Sequence, residues 1–340
     1  MKDLESLILK QEPRRDRALL KGAIDLHIHI DPDIRTPHRS QNGFECAYSM
    51  KAAGMRAAIF KPLGLPSTGM AYMVNLAIED FLVYGAITLN RCVGGLNPHA
   101  VKHALVQGNG AKAVWFPTAD SRHHAEFFSK GIYPFVEGYT KGLKEERARR
   151  FGGAYSLIRT SPEESVLVVQ NGKLVDAAKV IIDLVAEADV ILGTGHLRAD
   201  EACLLVEAAS TAGVRKIVVP HPTWKVLDYK LDEMKELARL GAYLEHCGSS
   251  CEPQQFVSHG LVPADPNDYA VYIRELGAEH CLMSTDSGIF SVPVPAESMR
   301  VFIALLLDAG ISEQEIDIMI RKNPARLLNL PIDGDTTSTR

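Results

Sequence analysis

AIDLHIHIDPD, residues 23–33, decides between the two folds that the rest of the chain allows. It reads as a β-strand, an apolar run closed by Asp-Pro-Asp. Side chains at i and i+2 of a strand share a face, so His27 and His29 project side by side near its end. A doubly wound open sheet carries a glycine-rich phosphate loop after its first strand; this chain carries HIHIDPD there instead. Two imidazoles aimed at one spot are half of a metal site. Alone, they are equally two polar residues on a solvated strand face, so further ligands have to come from elsewhere in the chain.

Outward from that strand the pattern alternates. The helical run GFECAYSMKAAG stops at Gly54, and RAAIFKPL is the second strand. A helix over TGMAYMVNLAIEDFLVYG, residues 68–85, leads to the strand AITLNRCVG, then PHAVKHALVQG to AKAVWFPT. After an irregular section, DVILGTGH, KIVVPH, AYLEHC and HCLMSTD are the fifth to eighth strands, each preceded by an amphipathic or helical segment. A closing helix, PAESMRVFIALLLDAG, and an extra one from about Ser312 to Leu328 follow. Eight short strands separated by helices predict a closed parallel (β/α)8 barrel over residues 22–330. Residues 1–21 read as a helical extension and 331–340 as a disordered tail. Residues 121–175 exceed the usual strand-to-helix connection and read as an insertion. Within it, SVLVVQNGKLV is a hairpin turning at Asn171-Gly172.

Active sites of such barrels lie at the carboxyl ends of the strands. His27 and His29 end the first, His196 the fifth, His221 the sixth, and Asp286 the eighth. Any one of them is commonly a turn or capping residue; five metal-competent side chains at the same end of four distant strands point to one site. The fourth strand ends in Thr118 and Asp120, with its lysine, Lys112, at the opposite end. Lys61 ends the second strand, where it suits a substrate carboxylate. His246 or Glu245 ends the seventh; alternation lets only one face the mouth.

As a set, the HxH pair, the histidines after strands five and six and the aspartate after strand eight resemble the amidohydrolase superfamily of metal-dependent barrels. More narrowly, the strings GGLNPHAV, VWFPT and GTGHL resemble an amidohydrolase-like family from which no substrate carries over. The resemblance implies His27, His29, His196 and Asp286 as metal ligands, with His221 a further ligand or a catalytic residue. Strand four lacks the bridging lysine or glutamate of binuclear members, so one ion is expected rather than two. Zinc suits a histidine-rich site; Mn, Fe or Co are the other ions expected. The implied reaction is hydrolysis of a small-molecule amide, lactone or cyclic C–N or C–O bond. Asp286 shuttles the proton, His221 supports the oxyanion, and Lys61, Arg35 and His246 bind substrate. Decarboxylation of a small conjugated or aromatic acid uses the same ligands, with Lys61 and Arg35 or Arg39 holding the acid. A catalytically inactive metal-binding subunit is a third reading.

Composition sets the outer limits. The 340 residues are 46% hydrophobic and 23% charged, with net charge −5, which gives no global attraction to nucleic acid or to an anionic membrane. The charged amino terminus has no signal-peptide pattern. No segment reaches the ~20 apolar residues of a bilayer span. Six scattered cysteines fit reduced thiols, and a cytoplasmic location is expected. Cys247 and Cys251 read as free thiols, His123 and His124 as surface residues of a loop. A homo-oligomer built through the amino-terminal segment is a further expectation.

Overall fold

The computed structural model describes residues 15–33, 39–129, 161–252, 261–289 and 292–332. Residues 1–14 of the expected extension, most of the tail, and residues 130–160 of the insertion lie outside them.

In chain order the strands are β1 (Ile24–Ile28), β2 (Ala57–Phe60), β3 (Leu82–Thr88), β4 (Ala111–Trp115), β5 (Val169–Gln170), β6 (Lys173–Leu174), β7 (Ile191–Gly193), β8 (Ile217–Pro220), β9 (Ala242–Cys247) and β10 (Cys281–Ser284). Eight form one parallel sheet in the order β1-β2-β3-β4-β7-β8-β9-β10, with helices between successive strands. β10 returns to β1: the Asp286 N–H donates to the His27 carbonyl (2.9 Å) and the His29 N–H to the Ser287 carbonyl (2.9 Å). The chain is a (β/α)8 barrel. The closure hydrogen bonds involve three of the residues singled out for chemistry.

The alternating strands produce two cores. Ile24, Leu26, Ala57, Ile59, Ala113, Trp115, Val218 and Leu282 fill the barrel, while a larger cluster including Ile28, Phe60, Val114 and Leu192 packs among the helices. Trp115 is fully buried and occupies so much of the interior that β7 must be glycine at its end. A Cβ on Gly193 would stand 2.0 Å from the indole. The β1–β2 register slips between Asp25 and Ile28. Such an irregularity re-aims side chains, and the inner face passes from Ile24 and Leu26 to the two histidines.

Local chemistry fixes the helix starts. Asn42 caps Gly43–Ala52 in a reciprocal capping box with Glu45, and Asn97 caps Pro98–Val106 with proline in the first turn. The hairpin turns where expected, with positive φ at both Asn171 and Gly172. One boundary departs from expectation. The helix begun at Thr68 ends at Ala77, and Leu82–Gly85 belong to β3. Asp80 turns the chain at φ 57°, and Asn75 receives and donates a hydrogen bond at Val83. The apolar run reads as one continuous helix because its strand half is also apolar. No helix among the described residues is long and apolar enough to cross a membrane.

Candidate metal centre

At the carboxyl end of the barrel, three ligand atoms converge. Asp286 Oδ1 lies 3.0 Å from His27 Nε2 and 3.0 Å from His29 Nε2. The other nitrogen of each ring is tied down. His29 Nδ1 is 2.8 Å from the Lys61 carbonyl, and His27 Nδ1 is 2.8 Å from Glu245 Oε2. A carbonyl can only accept, so His29 carries its proton on Nδ1 and turns the Nε2 lone pair to the site. The Glu245 carboxylate likewise accepts from His27 Nδ1, so the neutral His27 ring also turns its Nε2 lone pair to the site. Glu245 is itself held by the Ser284 hydroxyl at 2.7 Å. Metal-binding imidazoles are normally oriented by such acceptors.

The trio fits a divalent ion. Ligand atoms about 2.0–2.2 Å from a tetrahedral ion are roughly 3.3–3.6 Å apart, so separations of 3.0 Å need only a slight opening. Asp286 reaches this position with φ 50°, and His221 sits at φ 33°. Non-glycine residues in this region cost of order 1 kcal/mol or more and collect at functional sites.

Lys61 stands in the same place. Its Nζ is 2.9 Å from His27 Nε2 and 4.5 Å from the centre of the Trp115 ring, with the side chain buried. Burial holds its pKa below the ordinary lysine value, against the pull of Asp286 and Glu245. Burial opposes charge on His27 and Lys61 adds to that, yet Asp286 and Glu245 carry its pKa above the usual histidine value. His29 is pushed down to about 4 by burial and by the Arg39 guanidinium. Burial also lowers His221 to about 3 and His196 well below its usual range. Burial would raise the Asp286 carboxyl, but His27 and His29 hold it well below the carboxylate range. At neutral pH the centre therefore offers an ionised aspartate and neutral His29, His196 and His221.

His196 does not join the trio. It stands beside His221, ring centroids 5.0 Å apart, while His221 is 5.6 Å from His27. His196 Nδ1 is 2.9 Å from His124 Nδ1, and Trp224 packs against both His196 and His221. The expected strand-end residues thus form two adjacent groups, His27–His29–Asp286 and His196–His221. His124 corrects the loop reading: it is buried on the helix Arg122–Ser129. Phe128, one turn on and 4.6 Å away, shares its face. That i, i+4 apolar pairing was the available signal. Trp224, three residues after His221, gave none.

The parity left open on β9 is resolved. Glu245 and Cys247 face the barrel, with Cys247 Sγ 3.8 Å from His27 Nδ1. His246 does not reach the mouth. It packs on Tyr269 at 5.1 Å with neither ring nitrogen hydrogen-bonded, so the substrate-binding role expected of it has no geometric basis. Arg35 lies outside the described residues. Arg39, Leu63, Trp224 and Ile289 complete the cavity wall beside the histidines, Lys61 and Asp286. The space at its floor, about 40 Å³ and partly open to the outside, has room for an ion and a water or two. A wider hollow of about 680 Å³ between Arg15 and Gln314 contains no imidazole. All six cysteines are free thiols, as expected.

Solved structures share the barrel fold. The chain is similar to a probable dipeptidase, PvdM, of Pseudomonas aeruginosa (12% identity, 93% of this chain and 98% of that one, TM-score 0.57). An amidohydrolase from the same organism aligns at 12% identity over 92% and 98%, TM-score 0.50. A probable 2-pyrone-4,6-dicarboxylic acid hydrolase of Acinetobacter baumannii aligns at 11% over 91% and 100%, TM-score 0.50. At these identities the likeness is one of fold. No curated protein matches the chain. The family of unknown function DUF6282 matches residues 22–245, which include both histidines of β1, His196, His221 and Glu245. The chain belongs to the DUF6282 family.

Proposed function

We propose that the protein is a metal-dependent hydrolase of a small-molecule amide, lactone or cyclic C–N or C–O bond. The observation that carries this reading is the convergence of His27 Nε2, His29 Nε2 and Asp286 Oδ1, with both imidazoles turned by acceptors on their far nitrogens. A divalent ion held there would lower the pKa of water toward about 7 and polarise a carbonyl. Two fold neighbours are described as a probable dipeptidase and a probable 2-pyrone-4,6-dicarboxylic acid hydrolase, which are hydrolases of the corresponding kinds.

The chain's own groups divide the remaining work. Asp286 is ionised and has a second oxygen, Oδ2, 3.3 Å from the Ser249 hydroxyl. That oxygen can take a proton from the attacking water and return it to the leaving group. His221 is a neutral imidazole whose Nδ1 is buried without a hydrogen-bond partner. One of its nitrogens carries a proton, which it can donate to the oxygen that gains charge. Glu245 fixes the tautomer of His27. Trp115 and Trp224 keep water from the floor and side of the centre.

The test is turnover of a panel of small lactones, cyclic amides and N-acyl amino acids by protein loaded with Zn²⁺, Mn²⁺ or Co²⁺. A ring-opened or deacylated product, lost on chelation and in Asp286→Asn, is the expected result. Turnover that survives chelation, or release of CO₂ without a hydrolysis product, would overturn the reading.

A further inference from the structure

Arg39 is the one arginine, among the described residues, on the wall of the cavity. It is clamped from two sides. Its backbone bridges to Ile289, and the next residue, Ser40, donates its N–H to the Gly288 carbonyl at 2.8 Å. Its Nη2 donates to Asp33 Oδ2 at 2.8 Å, and Asp33 Oδ1 accepts the Gly64 N–H at 3.1 Å. The side chain is only 2% exposed, and its Nε is buried with no hydrogen-bond partner.

A guanidinium cannot discharge inside a protein, and it offers its donors in a planar fork. A buried N–H left unpaired is costly. The ion pair with Asp33 engages Nη2 with one carboxylate oxygen, and among the described residues no acceptor meets the buried Nε. The other carboxylate on this wall, Asp286, is already engaged by His27, His29 and Ser249. The acceptor that matches a fork edge in a tight site is planar, anionic and has two oxygens.

We infer that the substrate carries a carboxylate, gripped by Arg39 while the bond to be broken lies at His27, His29 and Asp286. The assignment rests on the hydrolase reading of the site and narrows it to small acids. Arg39 then positions the substrate and takes no part in proton transfer. Among esters and amides matched in size, those with a free carboxylate are preferred over their neutral analogues.

Binding of succinate and of its neutral diamide, succinamide, to the metal-loaded protein by calorimetry tests this. Wild-type protein is expected to bind succinate and not the diamide. Arg39→Lys keeps the charge but loses the fork, and should weaken succinate binding about 10- to 100-fold, with Arg39→Gln abolishing it. Metal content measured on the same samples should be unchanged in both variants. Equal binding of the diamide, no binding of succinate, or full affinity in Arg39→Lys would overturn the assignment. So would binding of inorganic phosphate in place of succinate. If the glutamine variant fails to fold, the lysine variant and the succinate–diamide comparison on wild type still decide. Loss of metal-dependent turnover with intact Arg39-dependent binding would instead count against the hydrolase reading alone.

Discussion

His27, a ligand in the proposed centre, depends on atoms that would not meet the ion. Its Nδ1 is held by Glu245, itself fully buried and held by Ser284. Glu245→Gln keeps the shape but removes the charge that favours this tautomer. Zinc affinity in a chelator competition should fall about 10- to 100-fold without loss of fold; unchanged affinity would remove Glu245 from the centre. At Asp286 the expected effects separate. Asp286→Asn should retain a substantial share of metal and lose nearly all turnover, because its amide cannot take a proton. His221→Ala should keep its metal while kcat and kcat/KM fall together by ~10²–10³. Full activity in either variant would sink the assigned role. The strand-end residues were legible because barrel topology fixes which end of each strand matters. What strand alternation leaves open is which of two neighbours faces inward, so the choice of Glu245 over His246 had to come from coordinates. The division into two histidine groups depends on loop geometry after β7 and β8, which no spacing encodes.

Between strands, the connections hold the site as firmly as the ligands do. Gly288, in the loop after β10, has φ +129°, and a Cβ there would stand 1.9 Å from the His29 carbonyl oxygen. Gly288→Ala therefore combines a backbone conformation costing roughly 1–3 kcal/mol with a collision against β1. It should lower the melting temperature and the metal content together; a variant with neither change would show that the loop is free to move. On the opposite side, Asp189 ends the helix Asp176–Ala188 at φ 49° and ties it to Lys216 (2.7 Å) and Asn329 (2.9 Å). The Lys216 hydrogen bond, then that of Asn329, brings the Asp189 pKa down to about 2. A depressed carboxylate pKa stabilises the fold fully above the unfolded value near 3.8, and the benefit is lost as pH falls through about 2. With 39% of the side chain exposed, solvent screening limits it to about 0.5 kcal/mol. Asp189→Asn, which tolerates the left-handed backbone, should melt slightly below wild type above pH 4, with the gap closing between pH 4 and 2. A constant gap would assign the effect to something other than charge. The helix–strand alternation was readable at this scale, whereas the β3 start was not, because Leu82–Gly85 look apolar in either conformation.

For the molecule as a whole, the proposed metal centre and the closure of the barrel share the same residues. His27, His29 and Asp286 supply both the ligand atoms and the hydrogen bonds joining β1 to the segment after β10. An ion that binds only the folded chain adds about 2.7 kcal/mol at 100 times its Kd, so zinc should raise the melting temperature by several degrees and chelation should reverse it. The proposed centre fixes where that ion sits, and anomalous diffraction from crystals soaked in zinc locates it. A peak is expected ~2.0–2.4 Å from His27 Nε2, His29 Nε2 and Asp286 Oδ1 together. No peak there, or an ion held instead by His27, Glu245 and Cys247 on the inner side of the ring, would contradict the proposed centre.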